Sequence, residues 1–236
     1  MARKKSHKNI LILGAGSGMA MAFIQLLSKS WQHCTFHLLA RDIQQLDAAK
    51  QQAEALGHQV ILYTYDLLNP PKTDFTGMEF CVVYAGWLPP DNTEPEKTMT
   101  INCTGIQQFL DKFIPLNRLT LEHVIVTGSI AGTRVRPSNK AYGQAKANLH
   151  SYVYDLQKKW ASIITITLTI PGYVKTKMIA GHIAPAFLTV TPEKMAEKYL
   201  EYFKAKPAIA YSQPAWRLIA FVLKMVPEFI MKRLKF

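Results

Sequence analysis

Seven short apolar runs separated by stretches of helical periodicity constrain this chain more than any other feature. The runs cover residues 9–13, 35–40, 59–63, 79–84, 122–126, 163–168 and 208–211, with helical patterns near 18–29, 43–56, 97–117, 140–160 and 191–204. Strands that alternate with helices pair in parallel, because each return to the start of the sheet needs a crossover. The expected fold is α/β: a single doubly wound domain with a seven-stranded parallel sheet flanked by helices. These elements use nearly all of the 236 residues, and no internal repeat interrupts them.

The expected division is a basic arm at 1–8, the sheet domain at 9–211 and an amphipathic helical extension at 212–236. The net charge of +12 is concentrated at the two ends: residues 1–8 hold +4 and residues 216–236 another +4. Such ends favour a polyanion or an anionic membrane surface as neighbour. In WRLIAFVLKMVPEFIMKRLKF, from Trp216 to Phe236, Arg217 and Lys224 share one helical face and Pro227 separates two short helices. That pattern suits either a membrane interface or a helix docked on the domain or on a second subunit. No uncharged apolar stretch is long enough to span a bilayer. The apolar start at Ile10–Leu13 imitates a signal peptide, but Gly14, Gly16 and Gly18 break it, so retention in a cytoplasmic protein is expected, with peripheral membrane contact as the variant. Cys34, Cys81 and Cys103 lack CxxC spacing and are expected as reduced core thiols. The aromatic-plus-basic pattern of a single-strand binder is missing, so nucleic acid is not an expected partner. His33 and His37 lie about 13 Å apart if extended, and no carboxylate cluster completes a metal site.

The first strand runs into Gly14-Ala-Gly16-Ser17-Gly18-Met19-Ala20 at the start of a helix. Backbone N–H groups in such a turn can approach a pyrophosphate, and the helix N-terminus favours its charge. The spacing fits GxxxGx(G/A) rather than GxGxxG, since Met19 stands where the last glycine would be. After the second strand, Arg41 follows the small Ala40, leaving room and positive charge for a 2′-phosphate; NADP is therefore expected, with NAD the alternative. Asp42 is the candidate cap of the next helix, and Asp66, followed by Leu67, a candidate acceptor for an adenine amine.

Tyr142 and Lys146 stand one helical turn apart, and Ser129 precedes the tyrosine at the end of the fifth run. A tyrosine near a cation can serve as general acid toward a carbonyl oxygen that a serine hydroxyl holds. Asn102 is the candidate to hold a water between Lys146 and solvent.

From about residue 9 to 204 the chain resembles the short-chain dehydrogenase/reductase family. The likeness rests on the glycine loop, Asp66, Ala85-Gly86, Asn102, Ser129, the Tyr142/Lys146 pair and Pro171-Gly172-Tyr173-Val174-Lys175-Thr176. It implies a Rossmann fold, hydride transfer between NAD(P)H and a carbonyl, and a homodimer or homotetramer paired through the helices at 97–117 and 140–160. It further implies that Val174 meets the nicotinamide carboxamide through backbone and that Thr176 contacts the cofactor. Leu13, Ala20 and Val83-Tyr84 depart from the family pattern.

The segment G-T-R-V-R-P-S-N-K-A-Y-G resembles the branch that reduces a polyprenyl-phosphoryl 2-keto-pentose. That likeness implies a lipid-linked keto sugar, with Arg134 and Arg136 beside its phosphate; neighbouring acids are the other explanation for the arginines. Trp87 and Phe187, the latter in a substrate lid expected at Met178–Thr191, are the remaining candidate substrate contacts. A reductase of soluble or hydrophobic small ketones and a non-catalytic NADP-binding sensor are the alternative functions.

Overall fold

The computed structural model describes residues 7–89, 93–180 and 184–227. Its strands are β1 (Lys8–Leu13), β2 (Cys34–Ala40), β3 (Gln59–Thr64), β4 (Phe80–Val83), β5 (His123–Thr127), β6 (Thr165–Ile170), β7 (Tyr173–Val174), β8 (Thr189–Val190) and β9 (Ile209–Tyr211). The helices are α1 (Gly18–Ser30), α2 (Asp47–Ala55), α3 (Pro95–Met99), α4 (Gly105–Asn117), α5 (Lys140–Trp160), α6 (Pro192–Ala205) and α7 (Pro214–Met225). Seven parallel strands form one sheet in the order β3-β2-β1-β4-β5-β6-β9, as the alternation predicts, while β7 and β8 make a separate pair. The order reverses direction at β1 and β4, which opens a crevice beyond their carboxyl ends.

A sheet covered on both faces needs apolar residues at odd and even positions alike, and β1 supplies them. Leu11 and Leu13 pack with Ile106, Phe109 and Phe113 of α4 and Leu149 and Val153 of α5. Ile10 and Ile12 pack on the other face with Phe23 and Ile24 of α1 and Tyr199 and Phe203 of α6. All three cysteines are buried thiols in this core, and burial pushes that of Cys34 up to about 11.

One departure from the sequence expectation bears on function, and two further expectations fall partly outside the described residues. The helix expected over 97–117 is not uniform: α3 and α4 join through a π-helical turn at Thr100–Thr104, centred on Asn102. Such turns replace regular i→i+4 bonding locally and commonly mark functional sites. The lid segment consists of two short 3-10 turns and β8, with residues 181–183, and hence Ile183, outside the described residues. The extension is only partly described: α7 ends at Met225, and both residues 1–6 and the helix expected beyond Pro227 lie outside.

α7 docks on the α5 side of the sheet. Trp216 and Ala220 enter the core there, with Ile219 and Leu223 packed against it. The Trp216 ring lies on Gly172, where a Cβ would meet the indole at once, and its Nε1 donates to the Leu188 carbonyl at 3.1 Å. Tyr173 closes against the same ring edge-on at 5.5 Å. Leu218, Phe221, Val222 and Met225 form an exposed apolar stripe on the other side of α7. Among the described residues no helix is long and apolar enough to cross a membrane. Trp216→Ala removes a buried indole and should destabilise the protein by about 3–5 kcal/mol in a denaturant titration.

Candidate active site

The glycine loop is built by a close approach. Gly14 adopts φ +82°, and a Cβ there would lie 2.5 Å from the Ala85 nitrogen, so the turn after β1 touches the turn after β4 only without a side chain. Gly14 and Ala15 both donate to the Leu39 carbonyl, at 2.9 and 3.0 Å, which binds the loop to β2. Ser17 caps α1: its Oγ accepts the Ala20 N–H at 3.1 Å. The first turn of α1 carries no acid, leaving its positive dipole end uncompensated. Met19 follows within that first turn, partly buried. A Cβ on Gly18 would lie 3.3 Å from Thr176 Cγ2, so Thr176 lies against the loop. Gln45 lies against Gly16 and donates to the Asp42 carbonyl at 2.8 Å, a neighbour that no motif announces.

Arg41 is exposed directly after β2. Asp42 accepts the Gln44 N–H at 3.0 Å in a local turn, but it is not the cap expected of the next helix: Ile43 precedes the 3-10 turn at Gln44–Leu46 and Leu46 precedes α2, neither with a side-chain cap bond. Asp66 accepts the Leu68 N–H at 3.0 Å, while Leu67 is buried against Gly105.

The catalytic candidates converge at the carboxyl ends of β4 and β5. Ser129 follows β5 and caps a short turn, its Oγ accepting the Ala131 N–H at 3.2 Å. Tyr142, in the first turn of α5, shares a hydrogen bond with the Ser129 side chain. Burial pushes the Tyr142 phenol up, and that hydrogen bond opposes the rise. Lys146 lies one turn on, its Nζ 5.9 Å from the Tyr142 ring centre and donating to the Thr127 carbonyl at 3.1 Å. Burial lowers the Lys146 pKa to about 8, with the Cys103 thiol nearby opposing the shift.

Asn102 lies in the π-helical turn with its side chain fully engaged with backbone. Its side chain accepts the Trp87 N–H at 3.0 Å and donates to the carbonyls of Trp87 at 2.7 Å and Thr98 at 3.0 Å. That amide clamps the chain after Ala85-Gly86. The clamp still borders Lys146, because a Cβ on Gly86 would lie 3.3 Å from Asn102 Oδ1 and 3.7 Å from Lys146 Nζ. Trp87 is partly buried under Lys97, whose Nζ stands 4.5 Å from its ring.

Pro171 and Gly172 run beside the serine turn: the Pro171 carbonyl accepts the Ile130 N–H at 3.0 Å, and the Gly172 N–H donates to Ser212 Oγ at 3.3 Å. Val174 is buried in β7, and its carbonyl accepts the Thr176 N–H at 2.7 Å. Of the proposed substrate contacts, Phe187 is 77% exposed. Arg134 donates to the Val226 carbonyl at 3.1 Å, so it ties the loop before α5 to the end of α7. Arg136 is partly buried just before the 3-10 turn at Pro137–Asn139. Two residues escaped the sequence reading: Trp216, which no local pattern marks, and His150, whose spacing from Lys146 repeats that of Lys146 from Tyr142.

A family model described as short chain dehydrogenase matches residues 88–184, the segment that contains Asn102, Ser129, Tyr142 and Lys146. An uncharacterized oxidoreductase of Mycobacterium tuberculosis is 30% identical over 112 residues, 47% of this chain and 45% of that protein, so the match spans about half of this curated relative. Two short-chain dehydrogenase structures superpose on almost the entire chain. One, from Sphingobium yanoikuyae in complex with NADPH, has a TM-score of 0.77 at 17% identity, covering 97% of this chain and 96% of the other. The second, from Burkholderia cenocepacia in complex with NADP, has a TM-score of 0.78 at 15% identity, covering 98% of each chain. At such identities these are likenesses of fold.

The Lys146 shift has a testable consequence. A lysine whose folded pKa lies below its unfolded value burdens the folded state while it is charged, and stability then rises with pH between the two values. Lys146→Met should therefore raise folding stability near neutral pH by up to about 3 kcal/mol, a gain that shrinks from pH 8 toward 10.5. Urea titrations of both proteins across that range measure it.

Proposed function

We propose that this chain is a short-chain dehydrogenase that reduces a carbonyl to an alcohol, or runs the reverse reaction, with NADP(H). The observation that carries the reading is the convergence of Ser129, Tyr142 and Lys146 at the crevice beside the glycine cradle. The cradle fits a dinucleotide: Gly14 and Gly18 lack the Cβ atoms that would fill it, and the α1 N-terminus carries no competing acid. Gly14, Gly16, Ser17, Gly18 and Met19 would hold the pyrophosphate, and Arg41 the 2′-phosphate. Val174 and Thr176 would border the nicotinamide. That both superposed relatives were solved with NADPH or NADP agrees with this assignment.

When bound, NADPH supplies the hydride. Tyr142 gives its phenolic proton to the carbonyl oxygen, which the Ser129 hydroxyl orients. Lys146, as an ammonium, stabilises the phenolate that remains and so favours proton release. In the oxidising direction Tyr142 accepts the proton from the alcohol.

The substrate proposed is lipid-borne, a polyprenyl-phosphoryl keto sugar being the chemistry that the 132–143 segment resembles. The exposed stripe Leu218, Phe221, Val222 and Met225 supports it, since Arg134 joins that helix to the active-site loop. With Arg217 and Lys224 alongside, the stripe suits an anionic membrane surface. Soluble ketones are the competing substrates.

NADPH oxidation on the keto sugar and on a panel of soluble ketones tests the assignment. Tyr142→Phe should cost about 10²–10⁴-fold in kcat, and Arg41→Ala should weaken NADPH about 10- to 100-fold while sparing NADH. Turnover that survives Tyr142→Phe overturns the mechanism. For the membrane surface, the Leu218→Ser/Phe221→Ser/Met225→Ser variant should lose sedimentation with anionic vesicles. Binding unchanged by those substitutions, or absent in the parent protein, overturns the lipid reading while the chemistry stands.

A further inference from the structure

We infer that His150 is a positioning residue that holds the catalytic serine, through a hydrogen bond from the Ser129 N–H to the His150 Nε2. The inference rests on the proposed carbonyl chemistry and adds a residue to that site.

The direction of Ser129 follows from the backbone on either side of it. Gly128 donates its N–H to the Thr169 carbonyl at 2.8 Å, and Ile130 donates to that of Pro171 at 3.0 Å. In an extended stretch alternate N–H groups point to opposite sides, so the Ser129 N–H turns away from β6 and toward α5. A buried N–H without a partner is costly. His150 meets it at 3.2 Å. Ser129 is thus held by three bonds: its carbonyl accepts from Gly132 at 3.0 Å, its Oγ accepts from Ala131 at 3.2 Å, and its N–H is fixed by the imidazole.

The imidazole has a space made for it. A Cβ on Gly128 would lie 2.4 Å from His150 Nε2, and one on Gly132 would lie 2.8 Å from its Cε1. Glycines flank Ser129 where a side chain would collide with this ring. His150 lies two turns beyond Tyr142 and one beyond Lys146, so all three project from one face of α5. One helix thereby sets both the tyrosine that moves the proton and the serine that orients the oxygen.

Accepting that N–H requires a lone pair on Nε2, and therefore a neutral ring with its proton on Nδ1. Burial and the charges of Lys146 and Lys224, from α5 and α7, lower the His150 pKa to about 3. The imidazole is neutral wherever the enzyme would work, which removes it as a proton donor and leaves it as a fixed acceptor.

The test compares His150→Leu, which removes the acceptor, with His150→Gln, which returns one at similar reach. In the full-length protein, His150→Leu should lower kcat about 10- to 100-fold with the Kd for NADPH within about twofold, since the serine orients the reacting oxygen and not the cofactor. His150→Gln should recover most of the loss. Histidine ¹⁵N NMR of the parent protein at neutral pH should show an unprotonated Nε2, a reading that needs neither turnover nor a folded variant. A proton on Nε2, an unimpaired His150→Leu, or a His150→Gln no better than leucine overturns the inference. If Tyr142→Phe loses activity while His150→Leu keeps the parental rate, only the positioning role falls. If the parent reduces no carbonyl, the function falls and the NMR result alone decides whether the bond exists.

Discussion

The contact between the turns after β1 and β4 is the constraint on which the site depends. Parallel strands deliver all their carboxyl ends to one edge, and the reversal of strand order between β1 and β4 leaves a crevice there. The crevice has its shape because Gly14 approaches the Ala85 backbone more closely than any Cβ would allow. Around that contact, α1 presents its uncompensated N-terminus, β2 delivers Arg41, and the clamp from Asn102 sets the course of the chain after Gly86.

A second set of constraints acts from α5. Its buried face carries Tyr142, Lys146 and His150 in successive turns, and each meets a different part of the β5 terminus: the Ser129 side chain, the Thr127 carbonyl and the Ser129 N–H. The price of this arrangement is electrostatic, since a lysine and an imidazole are buried close together and both lose proton affinity. Such perturbed groups cluster where chemistry is done. α7 adds the outer wall, with Trp216 on Gly172 and its end bound by Arg134, so the segment most unlike a Rossmann crossover is joined to the site.

Much of the site was legible before the fold was known, because its signals are local. The Gly14–Gly18 loop follows from residue type at a strand-to-helix turn, and Tyr142 and Lys146 from helical spacing. The hydrogen bonds of Asn102 to Trp87 and Thr98 were not legible, since they are set by a π turn that carries no sequence mark. Arg134 was legible only as a loop arginine beside the candidate site; its bond to the Val226 carbonyl, 92 residues away, was not.

Sequence alone determined the class of sheet, the glycine loop after β1 and the candidate Ser129–Tyr142–Lys146 set, since periodicity and short-range spacing are properties of neighbouring residues. Tertiary structure decided what lies opposite each of them. Only packing could bring Trp216 onto Gly172, or set the N–H of Ser129 against the imidazole of His150, because these contacts join segments 44 and 21 residues apart across the sheet. No periodicity spans such distances; the crossovers of a parallel sheet close them.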